Sequence, residues 1–155
     1  MIPQQNQSQS NPVRTPTPER PVLVLLHGFG EDSRIWDQQQ LLATECHLLT
    51  PDLPGTRGTA PPPAWTMDAL ADFVKAQLDR EGIEKIVLVG HSMGGYVALA
   101  FAERWPERLL GLGLFHSTAF ADTEQKKETR RKGIAFIKAN GATAFLRTSL
   151  PGLYH

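Results

Sequence analysis

The residues of this chain with the clearest chemical pattern are Gly90, Ser92 and Gly94, which form the spacing Gly-x-Ser-x-Gly. In this pattern the serine lies on a tight bend between a strand and a helix, and its hydroxyl projects above the edge of a sheet. A serine held in this way attacks a carbonyl carbon once a general base removes its proton. The motif therefore predicts that Ser92 is the nucleophile of a hydrolytic or acyl-transfer reaction.

The segments on either side of Ser92 are those that such a bend requires. Residues 86–89 are apolar and rich in β-branched types, which predicts a buried strand after Lys85, and the mostly small and apolar residues after Ser92 predict a buried helix. Because the chain folds back on itself here, a side chain at position 90 or 94 would collide with the neighbouring strand or helix. Glycine is therefore expected at both positions, and His91 is expected to direct its ring away from the nucleophile.

A second motif follows the first predicted strand, where the apolar run Val22–Leu26 ends in the sequence His-Gly-Phe-Gly. Together, the two motifs resemble the α/β-hydrolase superfamily, and the resemblance extends from residue 21 to about residue 150. It implies that the backbone N–H groups of Phe29 and Met93 form an oxyanion hole for a tetrahedral intermediate. The residues expected to support this site are His27, Gly28, Gly90, His91 and Gly94.

The remaining segments predict an α/β fold with a parallel sheet and helices on both of its faces. Residues 46–50 and Leu109–Phe115 are two further apolar runs that predict strands. Helices are predicted after Ser33 or Asp32 and after Thr66, whose side chains are suitable N-caps. The resemblance implies a partial α/β-hydrolase fold whose C-terminal strands are missing, with the strands ordered second, first, third, fourth across the sheet.

Three regions are predicted along the chain. Residues 1–20 are polar and rich in proline and are expected to be a disordered tail. Residues 21–120 are expected to form the core, and residues 121–155, which begin with dense mixed charge, resemble a partial helical lid in their position. Aromatic residues near this region predict a substrate pocket for an apolar acyl group. The predicted pocket residues are His116, Phe120 and Phe145.

The resemblance implies a serine hydrolase of the carboxylesterase type that acts on ester or thioester substrates. In this superfamily a catalytic Asp or Glu, and then a catalytic His, follow the nucleophile in the chain. Both are expected beyond residue 155, although His116 and His155 are the alternative candidates for a base within the chain. The competing hypothesis is a catalytically incomplete fragment or a pseudoenzyme of the same family.

A dinucleotide-binding site is another alternative, because Gly28 and Gly30 follow a strand and Asp52 lies about 20 residues further on. However, Ser33 stands where that fingerprint needs its third glycine, and the motif around Ser92 would remain unexplained. For Asp52 a turn-forming or capping side chain is the favoured interpretation. We therefore predict no cofactor, and the sequence indicates no metal site.

The amino-acid composition indicates which kinds of binding partner the chain has. The chain of 155 residues has 16 basic and 16 acidic side chains, and this balance gives no electrostatic basis for binding nucleic acid. No run of about 18 apolar residues is available to span a bilayer, and the N-terminal residues do not resemble a secretory signal. The single Cys46 is expected to be a small buried hydrophobe. These features predict a cytoplasmic protein with a small ester-like substrate and no membrane partner, and they leave the oligomeric state open.

Overall fold

The chain is organised around a parallel sheet. The computed structural model describes residues 20–149. Its strands are β1 (Val22–Leu26), β2 (His47–Leu49), β3 (Ile86–His91) and β4 (Leu109–Phe115), in the order β2-β1-β3-β4 across the sheet. Each neighbouring pair runs parallel. The predicted fold class and the predicted order of the strands are therefore confirmed.

Helices connect and cover these strands. They are the α-helices α1 (Met67–Arg80), α2 (Met93–Arg104), α3 (Glu124–Asn140) and α4 (Ala142–Ser149), and the 3-10 helices Ser33–Thr44 and Pro106–Arg108. The Thr66 side chain caps α1 by accepting a hydrogen bond from the backbone N–H of Ala69 at 3.1 Å. Asp32, rather than Ser33, caps the first 3-10 helix. Within residues 20–149, no helix is long and apolar enough to cross a membrane.

The second strand begins later than the sequence predicts. Cys46 lies just outside β2, because its backbone N–H donates to the carbonyl oxygen of Leu42 at 3.0 Å and so closes the preceding 3-10 helix instead of pairing with β1. The thiol is buried and contacts the same carbonyl oxygen. Cys46 is therefore a small buried side chain, as expected, but the strand is restricted to His47–Leu49.

The C-terminal part of the described chain is helical, and its charged and apolar residues share one helix. The charged segment and the apolar residues Ile134 and Phe136 belong to one helix, α3, which passes through Gly133 without a break. A glycine inside a helix costs about 1 kcal/mol relative to alanine, which a helix of this length tolerates. The predicted tail, apart from Arg20, lies outside the described residues, and so do the last residues of the predicted lid.

The core lies between one face of the sheet and helices α1 and α2. Its fully buried side chains come from β1, β3, both helices and Leu53 in the loop after β2, and the largest are Phe101, Leu26, Leu53, Leu78, Ile86, Leu88, Val24, Val74 and Val97. Burying each of these side chains contributes about 1.5–3 kcal/mol. The packing therefore fixes the end of β3 and the start of α2, where Ser92 lies.

Candidate active site

Ser92 joins β3 to α2 in an unusual backbone conformation, with φ 50° and ψ −114°. Such a conformation costs on the order of 1–3 kcal/mol in a residue with a side chain, and it persists only where its surroundings impose it. Here the backbone N–H of Ser92 donates to the carbonyl oxygen of Phe115 at 3.0 Å. The carbonyl oxygen of Ser92 accepts from the Gly95 N–H at 3.0 Å and from the Ser117 hydroxyl at 2.8 Å. The bend is thus held on both sides.

Close backbone contacts explain the two glycines that flank Ser92. A Cβ atom at Gly90 would lie 2.2 Å from the carbonyl oxygen of Gly94, within the first turn of α2. A Cβ atom at Gly94 would lie 2.6 Å from the carbonyl oxygens of Leu26 and His27, at the end of β1. Both distances are far inside van der Waals contact with backbone atoms that cannot move away. The steric reason predicted from the sequence is therefore present in the fold.

The loop after β1 lies directly beside Ser92. A Cβ atom added to Gly28 would be 3.0 Å from the Cβ atom of Ser92. In the described part of the chain, the backbone N–H groups of Phe29 and Met93 have no hydrogen-bond partner. Met93 is also the first residue of α2, where the helix dipole favours negative charge. Two unpaired donors beside a hydroxyl are what an oxygen anion developing at a carbonyl requires.

His27 fixes this loop from the inside of the protein. Its ring is fully buried, and Nε2 accepts a hydrogen bond from the backbone N–H of Leu53 at 2.9 Å. The other ring nitrogen, Nδ1, is then the donor to the carbonyl oxygen of Gly28 at 2.9 Å. Asp52, next to Leu53, accepts from the Ser33 N–H at 2.8 Å and so supplements the Asp32 cap at the start of the first 3-10 helix, a structural role of the kind that the sequence favours for it. His27 and Asp52 therefore hold loops in place.

His91 contacts Glu31. Its Nδ1 atom donates to Oε2 of Glu31 at 2.8 Å, and the same oxygen accepts from the backbone N–H of Gly28 at 2.7 Å. The Trp36 ring packs against the His91 ring, with their centroids 6.4 Å apart. The sequence analysis did not identify Glu31. The available signal was an acidic residue three positions after Gly28, in a loop whose N–H groups need an acceptor.

The three predicted pocket residues lie in different places. Phe120 lines the cavity in front of Ser92, whereas Phe145 and His116 are not among its lining residues. The Phe145 ring meets the edge of the Phe29 ring, with their centroids 6.4 Å apart, so it supports the loop after β1. The His116 ring packs against Phe115, with their centroids 4.6 Å apart. Only Phe120 is therefore brought directly to the cavity that contains Ser92.

This cavity has a volume of about 700 Å³, which is in the usual range of about 300–1,000 Å³ for small-molecule sites. The residues lining it are Phe29, Met67, Ser92, Met93, Tyr96, Phe120, Ala121, Asp122, Lys127 and Arg130. Ser92, the two residues with unpaired N–H donors and several apolar residues thus line the same space. No group of three or more His, Cys, Asp or Glu side chains within residues 20–149 is placed to hold a metal ion.

The charged part of the cavity is formed by α3 and the segment before it. Arg130 donates from Nε and Nη2 to the Asp122 carboxylate, and from Nη2 to the Tyr96 hydroxyl at 3.4 Å. The hydrogen bond from Arg130 lowers the pKa of Asp122, and the bond to Asp122 raises the pKa of Arg130. Both side chains therefore keep their charges over a wide range of pH.

Comparison with known proteins agrees with this geometry. The model of the alpha/beta hydrolase family matches residues 23–154. Lipase LipV of Mycobacterium tuberculosis is 36% identical over 113 residues, which are 72% of this chain and 43% of the lipase. A thermophilic esterase from Thermogutta terrifontis, solved with malate bound, has a TM-score of 0.77 and 35% identity, over 86% of this chain and 50% of the esterase.

A third similar protein is the enol-lactonase from Burkholderia xenovorans, whose structure gives a TM-score of 0.76 at 25% identity, over 86% of this chain and 51% of the lactonase. The chain spans about half the length of these two solved structures and less than half the length of the lipase. The family match nevertheless covers almost all of the described residues. This chain therefore belongs to the alpha/beta hydrolase family.

Proposed function

We propose that Ser92 is the nucleophile of a serine hydrolase that cleaves carboxylic esters or thioesters. The observation that carries this proposal is the meeting of three features at one cavity: the strained bend at Ser92 and the unpaired N–H groups of Phe29 and Met93. Similarity to a lipase and an esterase supports the same class of substrate.

In this mechanism the Ser92 hydroxyl oxygen attacks the carbonyl carbon and forms a tetrahedral intermediate. The negative oxygen is stabilised by the N–H groups of Phe29 and Met93, and removing one such donor typically costs about 3–4 kcal/mol. Collapse of the intermediate releases the alcohol or thiol and leaves an acyl-serine, which water then hydrolyses. A general base must take the proton of Ser92, and the family resemblance implies that this base follows later in the chain.

The second candidate is a protein that binds an ester-like molecule without turnover. Within residues 20–149 the Ser92 hydroxyl makes no hydrogen bond to a histidine ring or a carboxylate, and His91 is engaged with Glu31. Without a base the serine remains a neutral alcohol, and the oxyanion donors alone leave only a residual rate. The two candidate functions use the same cavity and differ in whether a general base removes the proton of Ser92.

A fluorophosphonate probe tests the proposal on the chain of residues 1–155 with imidazole added, which supplies the general base that the mechanism places later in the chain. We expect a mass increase of one adduct at Ser92, no adduct in Ser92→Ala, and an unchanged adduct in Ser33→Ala, which alters a serine outside the cavity. An adduct at another residue, or none at all, would overturn the role of Ser92. Labelling of Ser92 that proceeds without imidazole would show a base within the chain, whereas labelling that requires imidazole would favour the candidate that lacks a base.

A further inference from the structure

We propose that the cavity in front of Ser92 selects an ester whose non-reacting end carries a carboxylate, and that Arg130 binds this carboxylate with help from Lys127. The inference rests on the proposed function, because it places the scissile carbonyl at Ser92. It adds a polar requirement to a pocket whose other walls are mainly apolar.

Arg130 lines the same cavity as Ser92, and Tyr96 also lines it. Tyr96 follows Ser92 by four residues along α2, which is about 6 Å of helix. Arg130 lies beyond it, with its guanidinium 5.9 Å from the centroid of the Tyr96 ring and in contact with the Tyr96 hydroxyl. A chain of several methylene groups extending from Ser92 past Met93 and Tyr96 would therefore end beside Arg130.

The balance of charge around the cavity favours an anion. Its lining contains two cations, Lys127 and Arg130, and one carboxylate, Asp122. Glu124 pairs with Lys127 at 2.8 Å, but its side chain is 79% exposed and does not line the cavity. One positive charge is therefore not balanced by the residues that face the ligand.

Arg130 also keeps hydrogen-bond donors available for a ligand. Its Nε and Nη2 atoms bind Asp122 and Tyr96, whereas Nη1 has no partner among residues 20–149. A guanidinium has five N–H donors, so the two on Nη1 can bind a carboxylate without breaking the contact to Asp122. Since the pair with Asp122 raises the pKa of Arg130, Arg130 is charged at neutral pH, where a substrate carboxylate is ionised.

The test compares two ligands of the same length in the full chain carrying Ser92→Ala, so that neither is cleaved. Monomethyl adipate has a free carboxylate, and dimethyl adipate is its neutral counterpart. Their dissociation constants are measured by NMR titration at low ionic strength. Because Arg130 is 52% exposed, we expect a modest preference of roughly fivefold for the monoester, and salt should weaken it. Equal affinities would overturn the proposal.

Substitutions test whether the preference for the monoester depends on the Arg130 side chain. Arg130→Met should bring the two affinities together, and Arg130→Lys should keep part of the preference. Arg131→Met is the matched control, because Arg131 lies on the same helix, pairs with Glu128 and does not line the cavity. A preference that survives in Arg130→Met, or that disappears in Arg131→Met, would contradict the proposal.

A loss of folding in Arg130→Met would appear as lost binding of dimethyl adipate. In that case Lys127→Met is used instead of Arg130→Met. An undiminished preference of Lys127→Met for the monoester would count against the proposal. Binding of the two ligands does not require a reactive serine, whereas the fluorophosphonate adduct does. A failure of the carboxylate preference is therefore distinguishable from a failure of the proposed hydrolase activity.

Discussion

The side chains of Glu31 and His91 form a hydrogen bond of 2.8 Å, although 60 residues separate them in the chain. The same carboxylate oxygen accepts from the backbone N–H of Gly28 at 2.7 Å. One oxygen atom thus connects the loop that carries the Phe29 N–H to the residue that precedes Ser92. We infer that Glu31 sets the position of the loop relative to the nucleophile.

Replacing Glu31 should therefore affect both stability and reactivity. Glu31→Ala leaves the Gly28 N–H without an acceptor in a partly buried position, and we expect a loss of about 1–3 kcal/mol in the free energy of unfolding. Glu31→Gln keeps one acceptor oxygen and should lose less. Urea denaturation measures the first effect, and the rate of fluorophosphonate labelling at Ser92 measures the second. An alanine variant that matches the parent in both would show that this oxygen has no positioning role.

The close approach at the bend predicts different outcomes at two glycines. Gly90→Ala places a methyl group 2.2 Å from a backbone carbonyl oxygen, so we expect a chain that does not fold or that loses at least about 3 kcal/mol. Gly111→Ala is the matched control in β4, because its Cβ atom would meet the side chain of Val87 at 3.5 Å, an ordinary contact. Thermal melts of both variants check this. Comparable melting temperatures would refute the steric argument.

Acid should weaken the fold partly through Asp79. Hydrogen bonds from Lys75, and then from Arg108, lower the pKa of Asp79 below its usual value. A carboxyl group with a lowered pKa in the folded state stabilises the fold above its unfolded pKa of about 4, and this contribution is lost as the pH falls through the folded value.

The variant Asp79→Asn should therefore lose less stability than the parent between neutral pH and acid pH. The measurement is the urea midpoint at a series of pH values. Asp37→Asn, an exposed residue with no ion-pair partner in the described part of the chain, serves as the control and should follow the parent curve. Parallel curves for the parent and Asp79→Asn would exclude this origin of the acid sensitivity.

The edge of the sheet at β4 should cause the chain of residues 1–155 to self-associate. β4 pairs only with β3 among the described strands, and its leucines Leu110 and Leu112 are 62% and 43% exposed. An unpaired apolar edge strand is a template for association. Size-exclusion chromatography over a range of concentrations should show larger species, and Leu112→Lys should reduce them. Leu41→Lys changes an exposed leucine on the first 3-10 helix and should leave the amount of larger species unchanged. A parent chain that is monomeric at all concentrations would contradict the prediction.

The sequence by itself determined the elements that depend on local constraints. Alternating or continuous apolar runs identified β1, β3 and β4, and the glycine spacing located the bend at Ser92. The steric conflict at Gly90 involves Gly94, only four positions away, whereas the conflict at Gly94 involves Leu26 and His27 at the end of β1. The loop with Phe29 was indicated by the family resemblance, on a strand that ends in His-Gly. These patterns act over one or two turns of chain, so they are readable without knowledge of the packing.

Only the tertiary structure decided which distant side chains meet. The contact of Glu31 with His91 spans 60 residues and that of Arg130 with Tyr96 spans 34, so both depend on how helices and loops pack on the sheet. The same is true of Phe145, which supports Phe29 from α4 instead of lining the cavity. A side chain's partner is set by the rotation and tilt of whole elements, and these result from the sum of many weak packing contacts that no short sequence pattern contains.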